Sequence, residues 1–224
     1  MTTKDQAGAP GATAKYDIKR DLKAVYSASA KDFGLVQVPP IAYLAVDGAG
    51  DPNTAPAYAE AIESLFGLSY AVKFESKKTL GRDYVVGPLE ALWRAGDMST
   101  FVTRDKSAWE WTAMIAQPAW ITAELVDTVR ERVAATKDLP ALGRVRLMTL
   151  DEGESIQILH VGSYDDEAPT LHRLHEEYMP AHGLTFAGDH HEVYLSDARR
   201  TDPARLKTIL RQPVATAETV TARA

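Results

Sequence analysis

The chain has 224 residues, 45% of them hydrophobic, with a formal net charge of -6. That suffices for one large core or two fused small ones, and it is a poor match for the phosphate backbone of nucleic acid or an anionic membrane surface. The absence of cysteine excludes disulfides, thiolate nucleophiles and Cys-ligated metals, and no apolar run approaches the roughly 20 residues that span a bilayer.

The opening MTTKDQAGAPGATA has no apolar core and so is no signal peptide. Residues 1–14 are predicted to be a disordered leader and 215–224 a flexible tail. With the lack of cysteine, this fits a reducing cytoplasm. Residues 15–30 read as an N-terminal arm or short helix carrying Ile18, Leu22 and Val25. A strand follows over 35–47, broken early at Pro39-Pro40. Gly48 and Gly50 allow a tight turn, and Asn53 or Thr54 can cap a helix that buries Tyr58, Ile62, Leu65 and Phe66. Residues 71–75 and 84–94 read as strands, 96–107 as a turn and charged loop, and 109–116 as a strand ended by Pro118. A connecting helix over about 119–136, capped by Thr122, turns Leu125, Val129 and Val133 inward.

The pattern then recurs. VDGAGDPNTAPAYAEAIESLF near residue 46 and LHVGSYDDEAPTLHRLHEEYM near residue 159 share an apolar strand, a Gly-containing turn, an acidic stretch, an Ala-Pro pair and an amphipathic helix. The second copy comprises strands at 144–150 and 154–161, a helix begun by Pro169 with Leu171, Leu174 and Tyr178 buried, a hairpin of 184–187 with 190–196, and a short helix over 204–210. Strands with intervening helices joined by hairpin-length loops indicate α+β. The expected architecture is two β-α-β-β pseudo-repeats, about 35–117 and 144–197, forming one domain over 15–214. One sheet would carry helices on one face and a concave ligand cleft on the other. A seam between two half-domains is a common place for a small-molecule site.

Strand alternation assigns the chemistry. His190, Glu192 and Tyr194 share one face, and His191, Val193 and Leu195 the other. If Val193 and Leu195 pack on the helices, Glu192 and Tyr194 look into the open cleft. Glu192 is then either a desolvated base or partner for a cation, or an ordinary solvated strand residue. Trp93, Trp109 and Trp111 form either flat walls for a planar ligand or core. Aligning the two aromatic strands sets Trp111 near the counterpart of Glu192. Glu90 is a second pocket acid or the partner of a nearby Arg, and Tyr164 leans over the cleft mouth or is a plain loop residue. His172 and His175 read as solvated helix residues. There is no HExxH, GxSxG, Walker-type loop or GxGxxG, and no metal site is expected.

The segments KYDIKRDLKAVY, VDGAGDPN, LSYAVKF, PLEALW, WEWTAMI and HHEVYLSDARRTDPARLKTILRQPV resemble the GyrI-like small-molecule-binding family, over about residues 15 to 214. The closest likeness is to its stand-alone members. Ala91 and Arg94 depart from a family pattern with Gly and a second Trp. The resemblance implies a two-repeat fold with a broad aromatic pocket and a buried acid on a late strand, matching Glu192. Some relatives are ligand-sensing domains fused to helix-turn-helix segments, for which this chain is expected to have no room. A stand-alone subfamily is implied to hydrolyse the strained cyclopropane of DNA-alkylating natural products, protecting the cell. On that reading Glu192 activates water, Tyr194 or Tyr164 donates to the carbonyl that gains charge, and Trp93, Trp109, Trp111, His190 and Glu90 bind. No cofactor, nucleic acid or membrane is implied, and the sequence carries no signal of oligomeric state. A non-catalytic binder that sequesters or senses hydrophobic drugs is the competing reading.

Overall fold

The structure, a computed structural model, describes residues 15–96 and 105–216. The leader, most of the charged loop and the end of the tail lie outside the described residues. Within them, nine strands join in one antiparallel sheet: β1 (Gly34–Val38), β2 (Ile41–Ala49), β3 (Leu89–Ala95), β4 (Trp109–Gln117), β5 (Arg146–Leu150), β6 (Gly153–Val161), β7 (Leu184–Phe186), β8 (His190–Tyr194) and β9 (Lys207–Thr216). Their order is β1-β6-β9-β8-β3-β4-β2-β5, with β7 paired to β9. Outward from the β8–β3 pair, β8-β9-β6 mirrors β3-β4-β2. The two lead strands are exchanged: β1 pairs with β6 and β5 with β2. The α+β duplication expected from the sequence is therefore present.

Its internal correspondence differs by one strand. β8 is the counterpart of β3, and β9 that of β4, so Trp111 on β4 does not correspond to Glu192 on β8. The second repeat runs on through β9 to Thr216. Residues 204–210, expected as a helix, form a 3-10 turn at Pro203–Arg205 and then the start of β9. Leu206, Ile209 and Leu210 mimic helical spacing, but pairing with β6 on one side and β8 on the other fixes the extended form. β7 likewise pairs with β9, not with β8.

The helices are α1 (Ile18–Asp21), α2 (Pro56–Leu80), α3 (Ala123–Ala134) and α4 (Ala168–His172); α4 runs into a π-helical stretch, Arg173–Tyr178, and α5 (Met179–Ala181). Residues 71–75 are not a strand but part of α2. Leu65, Leu68, Val72 and Ser76 are all buried, and this spacing of three and four outweighs the brief alternation around Val72. The helix stops at Gly81, whose φ of 65° is left-handed. Neither Asn53 nor Thr54 caps it; Ala55 does so without a side-chain bond, ahead of Pro56. Thr122 caps α3 as expected, accepting from the Leu125 N–H.

The helices other than α1 share one face. α2 and α3 enclose a core with Leu44, Trp111 and Ile115, while Leu174 and Met179 pack on Ile156 and Val214. The opposite face is covered by the N-terminal arm, where Ile18, Val25 and Tyr26 pack on Val38, Met114, Val193 and Ile209. Val193 and Leu195 thus lie under the arm rather than the helices, and Glu192 and Tyr194 look into the helix layer. Alternation states which residues share a face, but not which layer covers it.

The arm is fastened by a buried charged network. Glu90 accepts from Tyr26 Oη at 2.8 Å and Tyr43 Oη at 3.2 Å, and His191 Nε2 lies 3.0 Å from it. His191 Nδ1 and Arg211 Nη1 each meet Glu152 at 2.9 Å. Arg211 Nη2 donates to the Val25 carbonyl at 2.6 Å, and Gln157 Nε2 donates to the Ala24 and Ser27 carbonyls. Burial alone would raise the Glu152 carboxyl, but the charges and hydrogen bonds of His191 and Arg211 outweigh it and pull it down to about 2. Burial lowers His191 and the Glu152 carboxylate raises it, the net shift being upward.

These shifts have opposite pH dependences. Glu152 stabilises fully above its ordinary 4.5, and the contribution is lost as pH falls toward 2. His191 stabilises fully below its ordinary 6.5, and that contribution is lost as pH rises through its folded value. Glu152→Gln leaves Arg211 without its buried counter-charge, so a loss of about 3–5 kcal/mol at pH 7 is expected. Urea titrations should also show most of the wild-type fall in stability between pH 4.5 and 2 disappear; an unchanged acid limb would exclude Glu152 as its source.

Candidate functional site

The β3–β8 seam is the floor of the site. Its register sets Leu89 opposite Tyr194, Ala91 opposite Glu192 and Trp93 opposite His190. On the helix side this brings Trp93, His190, Glu192 and Tyr194 together. Both flanking helices begin at an Ala-Pro pair, Ala55-Pro56 and Ala168-Pro169, where proline suits the first turn. The first helix delivers Tyr58. On the second side, a 3-10 turn at Tyr164–Asp166 leads into Glu167 and α4.

A hydrogen-bonded chain crosses the seam. Trp93 Nε1 donates to Tyr194 Oη at 3.0 Å, and Tyr194 Oη donates to Glu192 Oε2 at 2.7 Å. Aromatic rings surround it. Tyr58 lies 5.9 Å from Trp93 and edge-on to Trp111 at 4.9 Å. Trp109 stands edge-on to Trp93 at 5.7 Å, and Tyr164 edge-on to Tyr194 at 5.6 Å. His190 Nε2 is 3.6 Å from Glu192 Oε1, beyond hydrogen-bond length. Its other side faces His175, whose ring stands 5.0 Å from Phe186. Tyr164 is 37% exposed, whereas Trp93 is only 5% exposed.

The enclosure shifts several groups. Burial and then the Glu192 charge push the phenols of Tyr194 and Tyr58 well above their usual range. Tyr164 rises to about 12 through burial and the charges of Glu167 and Glu192. His175 falls to about 4, through burial and then His190, so it is neutral at pH 7. Glu167, 5% exposed, is pushed up to about 10 by burial and then by Glu192. Two carboxyl groups, Glu167 and Glu192, thus lie on one side of the site, near enough for the charge of Glu192 to act on Glu167.

Of the residues singled out from the sequence, Glu192, Tyr194, Tyr164, Trp93, Trp109 and His190 are brought together. Glu90 is not: it lies on the arm face, bonded to two tyrosines, and is no pocket acid. Trp111 backs the wall rather than lining it. It is fully buried, and its ring lies so close over Gly48 that an added Cβ would stand 2.2 Å away. Arg94 also leaves the site, binding Glu110 at 3.1 Å and Thr112 at 3.0 Å. Ala91 stays, buried opposite Glu192. His175 turns inward instead of being solvated. Tyr58 and Glu167 were missed, Tyr58 because it reads as helix core and Glu167 because Asp165-Asp166-Glu167 reads as a solvated acidic run. The repeated Ala-Pro pair, which places both beside a helix start, was the available signal. Among the described residues no group of three His, Asp or Glu is arranged to hold a metal ion, and no helix is long and apolar enough to cross a membrane.

The GyrI-like small molecule binding domain matches residues 32–215. The chain belongs to the GyrI-like family. A crystal structure of an uncharacterized conserved protein from Listeria innocua is 36% identical, with a TM-score of 0.81, over 90% of this chain and 100% of that one. A Listeria innocua hydrolase is 34% identical, with a TM-score of 0.78 and the same coverage. The EcmrR C-terminal domain, 12% identical over 83% of this chain and 98% of that one, has a TM-score of 0.55 and shares the fold. No curated protein matches the sequence. A GyrI-like domain binds small molecules, and in this member the seam between the helices is the candidate place.

Trp111→Ala should act on the fold first. A loss of about 3–5 kcal/mol is expected for truncating a core Trp, seen as a lowered urea midpoint, and with little change in ligand affinity at temperatures where the variant is folded. A large affinity loss at undiminished stability would return Trp111 to the ligand wall.

Proposed function

We infer that this protein binds planar, hydrophobic aromatic molecules between Tyr58, Trp93, Trp109 and Tyr164, and hydrolyses the strained cyclopropane of DNA-alkylating xenobiotics in that cleft. The observation that carries this reading is the Trp93–Tyr194–Glu192 chain inside an aromatic enclosure. It aims one carboxylate at the seam and holds it there. The likeness to a Listeria hydrolase at 34% identity supports an enzyme over a passive binder.

The chemistry follows from the arrangement. A planar ligand enters past Tyr164 and is held by apolar burial and ring contacts. Confinement with a water molecule removes much of the entropic barrier to attack. Glu192, oriented by the Tyr194 hydroxyl, takes a proton from that water as it adds to the cyclopropane carbon. Ring strain supplies driving force, so a modest site suffices. Trp93 fixes Tyr194 and forms part of the wall. The cytoplasm, where such a drug must be intercepted before it reaches DNA, is the proposed location.

The test is turnover. Sub-stoichiometric protein should convert excess cyclopropane-bearing drug into a product heavier by one water, read by mass spectrometry. Protection of only an equal amount of drug would leave a binder and remove the enzyme. Glu192→Gln should retain binding within a few-fold and lose about 10²–10⁴-fold in turnover, the usual range for a general base; undiminished turnover would take Glu192 out of the mechanism.

A further inference from the structure

Ring opening of a cyclopropane conjugated to a carbonyl needs a proton donor as well as a base. Tyr194 cannot serve. Its single hydroxyl hydrogen is committed to Glu192 at 2.7 Å, and its oxygen already accepts from Trp93. Tyr194 is a positioning residue for Glu192. The donor must come from elsewhere in the cleft.

We propose that Glu167 is the general acid of the reaction, passing its proton to the ligand's carbonyl oxygen as the cyclopropane bond breaks; this rests on the hydrolase reading above. Glu167 stands between the Tyr164–Asp166 turn and the first turn of α4. It is 95% removed from solvent, and although the Thr208 hydroxyl lies beside the carboxyl, its Oε1 makes no hydrogen bond of good geometry. A buried polar atom left unmatched is costly, and an orphan of this kind suits a polar ligand group.

The charged and titratable groups around Glu167 are Glu192 from β8, Lys106 from the turn before β4, and Asp165 and Tyr164 from its own segment; Thr208 of β9 adds a hydroxyl. Burial and the Glu192 charge favour the neutral acid, and Lys106 opposes them without prevailing. At pH 7 Glu167 therefore carries the proton that the step requires. Lys106 is itself drawn aside by Asp165 at 3.2 Å and sits over Trp109.

The step balances with water alone. The water oxygen bonds to the cyclopropane CH₂ carbon, and the C–C bond to that carbon breaks. Its electron pair moves through the conjugated ring to the carbonyl oxygen, which takes the Glu167 proton and becomes a phenol. Glu192 holds the proton from the water. After product leaves, that proton returns to Glu167 through solvent, and the net change is addition of one water.

The experiment compares wild type, Glu167→Gln and Glu167→Asp with the same cyclopropane-bearing drug, measuring binding by tryptophan quenching and turnover by mass spectrometry. Glu167→Gln preserves a neutral side chain of the same shape, so binding within about three-fold and a kcat loss of about 10²–10⁴-fold are expected. Glu167→Asp, which keeps a transferable proton, should recover part of the loss. The Gln defect should shrink with a substrate whose ring-opened phenol is more acidic. The wild-type rate should fall above about pH 10, the value of the Glu167 carboxyl, because the proton is then gone.

Glu167→Gln turning over at the wild-type rate overturns the proposal while leaving the hydrolase intact. Wild-type protein that binds but never converts excess drug overturns the hydrolase and the proposal together. Should the Gln variant fail to fold, a wild-type rate that stays flat to pH 11 overturns the general acid by itself.

Discussion

The pairing of β3 with β8 is the constraint on which everything else depends. It is the junction of the two halves, and it commits successive residues of β8 to opposite environments. His191 enters the ion network under the arm; Glu192, the next residue, enters the aromatic cleft. A slip of one residue would exchange their faces, placing Glu192 on the arm side with Glu90 and Glu152 and His191 on the side of the tryptophans. Each misplacement would bury charge without its partners, which is costly. The register is therefore held from both faces, by Glu90 and Glu152 on one side and by Trp93 and Tyr194 on the other.

The same constraint explains why the arm matters to a site it never touches. Arg211 on β9 binds Glu152 and the Val25 carbonyl, and His191 binds Glu152 from β8. The arm, β8 and β9 become one fastened unit beneath the cleft floor. A base must be held within a fraction of an ångström of its productive position, and a strand clamped on its far face provides that more firmly than a loop. On the proposed mechanism, the polar network under the arm supports Glu192 from the far face of its strand.

Much of this was legible in the sequence, for reasons that can be named. The repeat revealed a two-half sheet, because strand–turn–Ala-Pro–helix recurs in both copies. Alternation in HHEVYLS grouped His190, Glu192 and Tyr194 correctly. It could not say which layer covers which face, since the arm, through Ile18, Val25 and Tyr26, covers one side with apolar residues just as the helices cover the other. The last strand stayed hidden because Leu206, Ile209 and Leu210 fit a helix as well as a strand, and only neighbours on both edges decide. Trp109 and Trp111 share a face yet have different fates, because Trp111 lies over Gly48 under α2 while Trp109 stands at the rim. That difference belongs to depth within a layer, which periodicity does not encode. Glu167 was invisible for the same reason, as one acid of three.

The duplicated scaffold is symmetric but its contents are not, and the asymmetry has a chemical consequence. The first half supplies Tyr58, Trp93 and Trp109, with Ala91 facing Glu192 across the seam. The second half supplies both carboxyls and the phenols of Tyr164 and Tyr194. A symmetric filling would set an acid at each counterpart position, where the two would repel and share equivalent environments. With both acids on one side, each meets a different neighbour. Glu192 receives the Tyr194 hydroxyl, while Glu167 meets burial and the Glu192 charge, which favour its neutral form. Fusion of the two copies into one chain allows this division, because each half can then diverge without imposing the change on its partner.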